Sequence, residues 1–342
     1  MGHDPKKLCR LVGLVYVETS ELSLRRLRRG RGFQYVDGAG RTLRDKALKR
    51  RLQSLALPPA WVDVCIAADP RAHIQATGRD AEGRLQYRYH PEWEKARAKT
   101  KHVRLRQLGA ALPKVRHAVQ QALAAPGLNR NKIVAAVVRL IDRAWLRPGY
   151  EEYARKQSGR GASTLLKDDV VVKGDRLLLA FKGKGGKEIK RELHDPLLAR
   201  LVGKLSSLQG KRLFGLADET GEKRPVTARD VNEFLAEASG TEATAKDFRT
   251  FKASATALSV LVEKSGHESE RLRKKAVIEA ADGVSKILAN TRNVARSSYI
   301  HPSVIGAYEA GRLEPSLLRG RVRKGLNRIE SALMRFLERT AA

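Results

Sequence analysis

The hydrophobic pattern of this 342-residue chain changes close to residue 92. Before that position, apolar residues occur in short runs rich in Val, Ile, Tyr and Thr, which are typical of strands. The clearest runs are WVDVCIA (61–67), HIQATGR (73–79) and RLQYRYH (84–90). After about residue 95, apolar residues recur at helical spacing. We therefore predict an α+β fold, with a small β-rich N-terminal domain (1–92) and a larger, mainly α domain (93–342).

Other segments of the N-terminal domain carry turn and helix signals. GFQYVDGAGRTL (32–43) predicts a strand, a glycine-containing turn and then a helix start. RDKALKRRLQSLAL (44–57) has apolar residues at helical spacing and stops before two prolines. The basic segment HPEWEKARAKTKHVRLR (90–106) follows, and we predict that its start is a domain linker.

In the second domain, helical patterns surround one small predicted sheet. NKIVAAVVRLIDRAWLR (131–147) predicts a helix that ends at Arg147, because Pro148 disfavours helical geometry in the residue before it. One stripe of this helix is apolar and consists of Ile133, Val134, Val137, Val138 and Ile141. DDVVVKGDRLLLAFKGKGGKEIKREL (168–193) predicts three strands, the first two meeting at KGD and the third starting after KGKGG. LRKKAVIEAADGVSKILAN (272–290) and VRKGLNRIESALMRFLERTAA (322–342) predict amphipathic helices.

The charge of the chain indicates its partner. Lys and Arg number 68 against 37 Asp and Glu, which gives a net charge of +31. An excess of this size destabilises a compact fold unless a polyanion relieves it, and nucleic acid is the polyanion that fits best. No apolar run approaches the roughly 20 residues of a membrane-spanning helix. We therefore expect a DNA partner and no membrane.

Cofactor motifs are not found in the sequence. The two cysteines, Cys9 and Cys65, are far apart, which disfavours a zinc site or a disulfide framework and fits a reducing, intracellular compartment. No GxxxxGK[ST] motif of a P-loop ATPase occurs, and no signal-peptide pattern begins the chain. We expect chemistry without metal, ATP or any other cofactor.

A tyrosine could carry chemistry on DNA in such a chain. Its hydroxyl can attack a phosphodiester and form a covalent intermediate, provided that arginines stabilise the charge on phosphorus and a lysine protonates the leaving oxygen. Tyr299 in ARSSYIHP, with Arg147, Lys184, Arg249 and Asn290, offers these groups. Residue pattern alone leaves a structural tyrosine and a non-enzymatic, basic DNA-binding protein as alternatives.

Nine segments, in order along most of the chain, resemble motifs of one family. They are LPPAW (57–61), HIQATGRDAEGRLQYRYHPEW (73–93), WLRPGYEEYA (145–154), SGRGASTL (158–165), FKGKGG (181–186), LFGLADETG (213–221), ARDVNEFL (228–235), TAKDFRTF (244–251) and LANTRNVARSSYIHP (288–302). The chain is similar to the type IB DNA topoisomerases, in particular the small poxvirus-like form found in bacteria. The resemblance implies a monomer on double-stranded DNA in the cytoplasm, associated with the nucleoid. It also implies relaxation of supercoils through a 3′-phosphotyrosyl intermediate, without ATP or metal.

The resemblance implies a role for each candidate catalytic residue. Tyr299 matches the nucleophile, and Arg147 and Arg249 match the arginines that hold the nonbridging oxygens of the scissile phosphate. Lys184 matches the general acid, with Lys182 and Lys187 left open as alternatives. Asn290 stands where many members have histidine. It can still donate a hydrogen bond but carries no charge.

Further matches concern DNA contact. Lys246 matches a lysine that contacts DNA near the cleavage site. Gln86, Tyr87 and Tyr89 match a strand that lies in the major groove, where they could touch base edges and thymine methyls. An edge strand with aromatic packing is the alternative interpretation of QYRYH.

A second departure, an expectation for His301 and one rival family complete the comparison. Phe251 stands where the family usually has tryptophan, and we expect His301 to be a packing or surface residue rather than a general base. The tyrosine recombinases share the architecture and similar catalytic groups, but typically have His-x-x-Arg where this chain has Lys246-x-x-Arg249. The topoisomerase pattern is therefore favoured over the recombinase.

Overall fold

A computed structural model describes residues 4–155, 159–217, 223–266 and 269–340. Backbone contacts divide the chain into two units, Met1–Thr100 and Lys101–Ala342. Two of the family-like motifs reach beyond the described residues, at Ser158 and at 218–221. Within the described part of the chain, no helix is both long and apolar enough to cross a membrane.

The N-terminal unit is built on a five-stranded antiparallel sheet with the strand order β2-β1-β3-β4-β5. Its elements are α1 Pro5–Leu11, β1 Leu24–Arg29, β2 Gly32–Val36, α2 Lys46–Ser54, β3 Val62–Ile66, β4 Ile74–Arg79 and β5 Leu85–Tyr89. Leu52 of α2 packs with Val64, Ile66 and Ala76 of the sheet in one buried cluster. β4 is buried at all but its last residue, whereas β5 is an exposed edge strand.

The predicted strands and helix of this unit are confirmed, with two elements added. β1 lies in the arginine-rich stretch LRRLRR, where Arg26 is buried and donates to the carbonyls of Leu57 and Pro58 at 2.9 Å each. The apolar pattern did not predict this strand, because only alternate residues of a strand face the core and one of the buried positions here is the charged Arg26. The short helix α1 was likewise not predicted.

The second unit is mainly helical and carries a three-stranded antiparallel sheet of order β6-β7-β8. A two-stranded ladder pairs β9 with β10. The elements are α3 Pro91–Ala124, which begins in the first unit, α4 Arg130–Ala144, α5 Glu151–Arg155, β6 Val170–Lys173, β7 Arg176–Lys182, β8 Glu188–His194, α6 Pro196–Ser207, β9 Gly215–Ala217, β10 Lys223–Pro225, α7 Ala228–Ser239, α8 Ala245–Glu263, α9 Glu270–Leu288, α10 Arg292–Val294, α11 Pro302–Glu309, α12 Ser316–Arg319 and α13 Arg328–Arg339. The expected α+β class is confirmed.

One predicted boundary differs from the structure, and the predicted linker is helical. The segment expected to start with a linker is the start of α3, because Pro91 opens the helix and Glu92 and Glu94 lie in its first turn, where acidic side chains are favoured. The division between the two units, after Thr100, lies inside this helix. α4 ends at Ala144, three residues before the predicted end, because Trp145 adopts a left-handed conformation with φ 60°. The predicted stripe of α4 is buried as expected, from Ile133 to Ile141.

A buried ion network joins four helices of this unit. Arg116 of α3 donates to Asp142 of α4 at 2.9 Å and to Glu330 of α13 at 2.8 Å. Lys252 of α8 lies 3.1 Å from Asp142 and 5.0 Å from the centre of the Trp145 ring. Burial acts to raise the pKa of Asp142, but Lys252 and Arg116 outweigh it and hold that pKa at about 2. The network fixes α4 against α8; the candidate catalytic Arg147 lies just beyond the end of α4, and Arg249 lies in the second turn of α8.

A cavity of about 540 Å³ lies beside this network and is lined by Arg116, Asp142, Lys252 and Glu330 among others. None of the candidate catalytic residues lines it. The cavity therefore lies apart from the candidate catalytic residues.

Candidate active site

Two helix ends bring Arg147 and Asn290 together. Arg147 lies three residues beyond the end of α4, and Asn290 lies two beyond the end of α9. Nη2 of Arg147 donates to Oδ1 of Asn290. An arginine can only donate, so this bond sets the amide orientation and leaves Nδ2 of Asn290 as a donor. That Nδ2 is buried and has no hydrogen-bond partner among the described residues.

Arg249 is the most deeply buried member of the cluster that Arg147, Arg249, Asn290 and Tyr299 form. It lies on the second turn of α8, only 3% exposed, and its guanidinium donates to the carbonyls of Trp145 and Leu288, the latter at 3.0 Å. Its Nε is buried and has no hydrogen-bond partner within the described residues. Burial lowers the pKa of Arg249 to about 10, so the group stays charged at neutral pH. Two of its five N–H donors bind these carbonyls, and the others are left for Tyr299 and a ligand.

Tyr299 ends a π-helical turn, Ala295–Tyr299, directly before α11. The Cζ atom of Arg249 lies 5.2 Å from the centre of the half-buried Tyr299 ring. Burial acts to raise the pKa of Tyr299, but the charges of Arg249 and Arg147, with a smaller contribution from Lys246, outweigh it, so the pKa lies below its usual value. The surroundings therefore favour the phenolate, which is the nucleophilic form.

Ser254 holds the backbone that directly follows the Tyr299 side chain. Its buried hydroxyl donates to the carbonyl of Tyr299 at 3.2 Å and accepts the N–H of His301 at 3.0 Å. Ser254 is five residues after Arg249 on α8, so one helix positions both the tyrosine backbone and the arginine that faces its ring.

Lys184 is exposed in the loop that joins β7 to β8. Gly185 and Gly186 in this loop each have φ +72°, which favours glycine. The neighbouring segment 159–162 ties the loop to Arg147. The N–H of Arg160 donates to the carbonyl of Lys182, and that of Ala162 donates to the carbonyl of Arg147, both at 2.8 Å. The structure thus connects Lys184 to the cluster through backbone, while its side chain lies at the surface.

Among the residues that the structure describes, the cluster is positive and contains no carboxylate. Lys246 is exposed in the first turn of α8, next to Arg249 on the same helix. Within the described residues, neither Lys246 nor Arg147 nor Arg249 forms an ion pair with an acidic side chain. The described residues also contain no group of three or more His, Cys, Asp or Glu side chains placed to hold a metal ion. The arrangement suits a phosphodiester, whose nonbridging oxygens supply the missing negative charge.

The candidate DNA-contact residues of β5 belong to the N-terminal unit. Tyr87 and Tyr89 stack on one face of the strand, with ring centres 5.7 Å apart. Tyr89 is half-buried near His73, whereas Tyr87 is 41% exposed. Gln86 donates to Asp80 at 2.7 Å. The edge-strand interpretation of QYRYH is confirmed, and contact with DNA stays a prediction.

The side chain of His301 has a structural role. It is 3% exposed, accepts the N–H of Ser303 at 3.2 Å and so caps α11. Its ring meets His102 edge to face, with centres 5.4 Å apart. The expected packing role is therefore confirmed. Phe251 is also fully buried, and a Cβ at Gly109 would come within 2.6 Å of its ring.

Sequence reasoning missed two residues that hold the cluster, Ser254 and Arg191. Arg191 of β8 donates to the ends of α4 and α9. It is one of 68 Lys and Arg residues, and nothing in its local sequence distinguishes it. Ser254 lies beyond the TAKDFRTF motif, in a helix of ordinary composition.

A helical unit that carries a small sheet and brings a tyrosine together with two arginines and an asparagine is typical of DNA-breaking enzymes of the tyrosine type, a class that contains topoisomerases and recombinases. Comparison with known proteins separates the two. Residues 90–313 match the model of the eukaryotic DNA topoisomerase I catalytic core, and residues 32–80 match that of the bacterial DNA topoisomerase IB N-terminal domain. A DNA topoisomerase 1B of Acanthamoeba polyphaga mimivirus is 31% identical over 266 residues, covering 76% of this chain and 79% of the relative. The chain belongs to the type IB DNA topoisomerase family.

Proposed function

We propose that this topoisomerase cleaves one strand of duplex DNA with Tyr299 and relaxes supercoils before it reseals the strand. The observation that carries the proposal is the contact of Arg249 with the Tyr299 ring beside the Arg147–Asn290 pair, in a cluster without a carboxylate. This arrangement favours the phenolate and binds the phosphate that it attacks. The same groups serve the reverse reaction.

The bond changes assign a task to each residue. Oη of Tyr299 forms a bond to phosphorus while the bond from phosphorus to the 5′ oxygen breaks, and Lys184 gives that oxygen a proton. Arg147, Arg249 and Nδ2 of Asn290 donate to the nonbridging oxygens as charge develops. The phenolic proton leaves to water before or during attack.

Religation reverses these steps after the free strand has rotated. The 5′ hydroxyl attacks the phosphotyrosine, and the tyrosine leaves. Because the covalent intermediate preserves the energy of the broken bond, the cycle needs no ATP.

DNA binding is the task of the basic surfaces. We propose an N-terminal DNA-binding domain (1–92), in which Tyr87 and Tyr89 with Gln86 contact the major groove, and a catalytic domain (93–342), in which Lys246 contacts DNA near the break. Tyr87 is the most exposed of the three groove residues, so Tyr87→Ala should weaken binding most. Every proposed catalytic group comes from one chain, which supports a monomer. We propose that it acts in the cytoplasm, on the nucleoid.

The salt dependence of binding tests the electrostatic part of this proposal. Each phosphate neutralised by Lys or Arg releases counterions, so the logarithm of the binding constant should fall by about 0.9 per phosphate for each tenfold rise in salt. A binding constant that does not change with salt would contradict phosphate contact as the main source of affinity.

Plasmid relaxation tests the nucleophile. Supercoiled plasmid is incubated with the protein in EDTA without ATP, and the wild type should relax it in single-step topoisomers. Tyr299→Phe should bind DNA but neither relax it nor form a covalent adduct on the 3′ side of the break. Tyr308→Phe is the matched control, because it removes a buried hydroxyl that donates to Lys264 on a neighbouring element. Relaxation by Tyr299→Phe, or a mobility shift without relaxation by the wild type, would overturn the proposal.

A further inference from the structure

Two helices end in the same unusual way directly before catalytic residues. α4 is followed by Trp145 at φ 60°, and α9 by Ala289 at φ 49°. Left-handed geometry costs a residue with a side chain about 1–2 kcal/mol, so the surroundings must hold both turns in place. Arg147 and Asn290 follow these turns closely, so the turns set the position of both side chains.

The last carbonyls of a helix have no partners within the helix. At these two ends, arginines from other elements supply the donors. Arg249 donates to one carbonyl from each helix, those of Trp145 and Leu288. Arg191 does the same one residue earlier in each helix, with Nε donating to Ala144 at 3.3 Å and Nη2 donating to Ile287. Two guanidinium groups thus bridge the same pair of helix ends.

The remaining donors distinguish the two arginines. Nη1 of Arg191 donates to the carbonyl of Lys190 at 2.8 Å, so each of its three nitrogens binds backbone oxygen. Nε of Arg249, in contrast, has no partner among the described residues. Arg249 therefore keeps one nitrogen, Nε, for a ligand, whereas every nitrogen of Arg191 already donates to a backbone carbonyl.

Arg191 has backbone dipoles in place of a counterion. No acidic side chain pairs with it in the described part of the chain, and its partners are carbonyls at the negative ends of two helix dipoles. Its strand, β8, pairs with β7, which leads into the loop of Lys184. One side chain therefore connects the strand pair of the general acid to both helix ends.

We propose that Arg191 is a positioning residue of the cleavage reaction, which holds the ends of α4 and α9 together so that Arg147 and Asn290 meet the same phosphate. This inference rests on the proposed function. Arg191 acts through the alignment of these two residues and does not touch the DNA. Its loss should slow the chemical step and leave DNA affinity almost unchanged.

The test compares Arg191→Ala with Lys190→Ala. Lys190 is the neighbouring residue on the same strand and its side chain is 79% exposed, so its replacement removes an equal charge without touching the helix ends. Single-turnover covalent cleavage is measured at saturating DNA, and affinity is measured separately in a Tyr299→Phe background. A displacement of about 1 Å can cost about 100-fold in rate, so we expect Arg191→Ala to cleave 10- to 100-fold more slowly than Lys190→Ala at similar affinity.

Arg191→Lys provides a second variant, because a lysine reaches the same region but lacks the planar fork that bridges two carbonyls. We expect it to fold and to cleave at an intermediate rate. If Arg191→Ala does not fold, Arg191→Lys is compared with Lys190→Ala in its place. Cleavage at the Lys190→Ala rate by the folded Arg191 variants would overturn the proposal.

A double variant separates positioning from general damage. If Arg191 acts through the Arg147–Asn290 pair, the rate losses of Arg191→Ala and Asn290→Ala should combine to less than their product. Losses that multiply would show independent effects and overturn the inference. If Tyr299→Phe relaxes plasmid, the proposed function fails instead, so the two failures are distinguishable.

Discussion

Gly159→Ala tests how the Lys184 loop is held. Gly159 has φ +138°, and a Cβ added there would lie 2.3 Å from the carbonyl oxygen of Gly183 and 2.6 Å from the backbone nitrogen of Lys184. These are backbone atoms, so no side-chain rotation can relieve the contact. The Lys184 loop must therefore move.

The size of the movement follows from the contact distances. Ordinary contact begins at about 3.4 Å, so the loop must retreat by about 1 Å. A misplacement of that size can slow catalysis by about 100-fold, equivalent to about 2.7 kcal/mol of transition-state stabilisation. The loss should fall on proton transfer, because the displaced group is the proposed general acid.

The assay compares two DNA substrates in single-turnover cleavage. One has the natural 5′ oxygen at the scissile phosphate, and the other has sulfur at that position, which leaves as a thiolate without needing a proton. Gly159→Ala should slow cleavage of the oxygen substrate by about 100-fold and that of the sulfur substrate much less. Lys184→Ala should show the same pattern.

Gly174→Ala is the matched control. Gly174 also has positive φ, +59°, but a Cβ there meets nothing within 4 Å, and the residue lies in the turn between β6 and β7. The Gly174→Ala variant therefore measures the effect of positive-φ backbone strain without a steric contact. Equal slowing of both substrates by Gly159→Ala would remove proton donation as the affected step, and wild-type cleavage would refute the positioning argument.

Three other substitutions test the site and the scaffold. Asn290→Ala should slow covalent cleavage by about 10- to 100-fold at unchanged DNA affinity, because the phosphate loses one donor; a wild-type rate contradicts that role. Asp142→Asn should lower the free energy of unfolding at pH 7 by about 3–5 kcal/mol, because it leaves buried cations with less negative charge. Burial lowers the pKa of His73, so the unfolded chain takes up the proton first and stability should fall as pH drops below about 6.5. His73→Phe should flatten this dependence in urea unfolding.

The loss of stability caused by Asp142→Asn should itself depend on pH, and this dependence is the control for that substitution. The pKa of Asp142 lies at about 2, below the usual value of 3.8 for an aspartate. The stabilisation is therefore complete well above pH 3.8 and is lost as pH falls toward 2. At pH 3 the difference between wild type and variant should be smaller than at pH 7 by about 1 kcal/mol. A difference that stays constant with pH would argue against the ionised carboxylate as the stabilising group.

For His73→Phe, an unchanged slope of unfolding free energy against pH would exclude His73 as the titrating residue.

Local pattern predicted most of the elements and the motif residues. The apolar stripe of α4, the face of α9 with Val277 and Leu288, and the three strands around the Lys184 loop occur as predicted. These features depend on residues a few positions apart, whose spacing is visible in the sequence. Ordered motifs likewise named Tyr299 before any geometry was known.

The sequence pattern did not predict features that a charged residue or a single backbone turn decides. Strand β1 was not predicted, because the charged Arg26 occupies a buried position in it. The end of α4 lies at Ala144 because one residue, Trp145, turns left-handed, and no propensity of tryptophan predicts that conformation.

The sequence by itself placed Tyr299 in a family motif, ARSSYIHP, and its other motifs indicated the class of chemistry. Only the tertiary structure decided what holds that tyrosine and its partners. Ser254 reaches Tyr299 across 45 residues of chain, and Arg191 reaches Ile287 across 96. Such contacts depend on how whole helices pack. The hydrogen-bonding groups involved are backbone carbonyls that every residue possesses, so they leave no mark on the sequence.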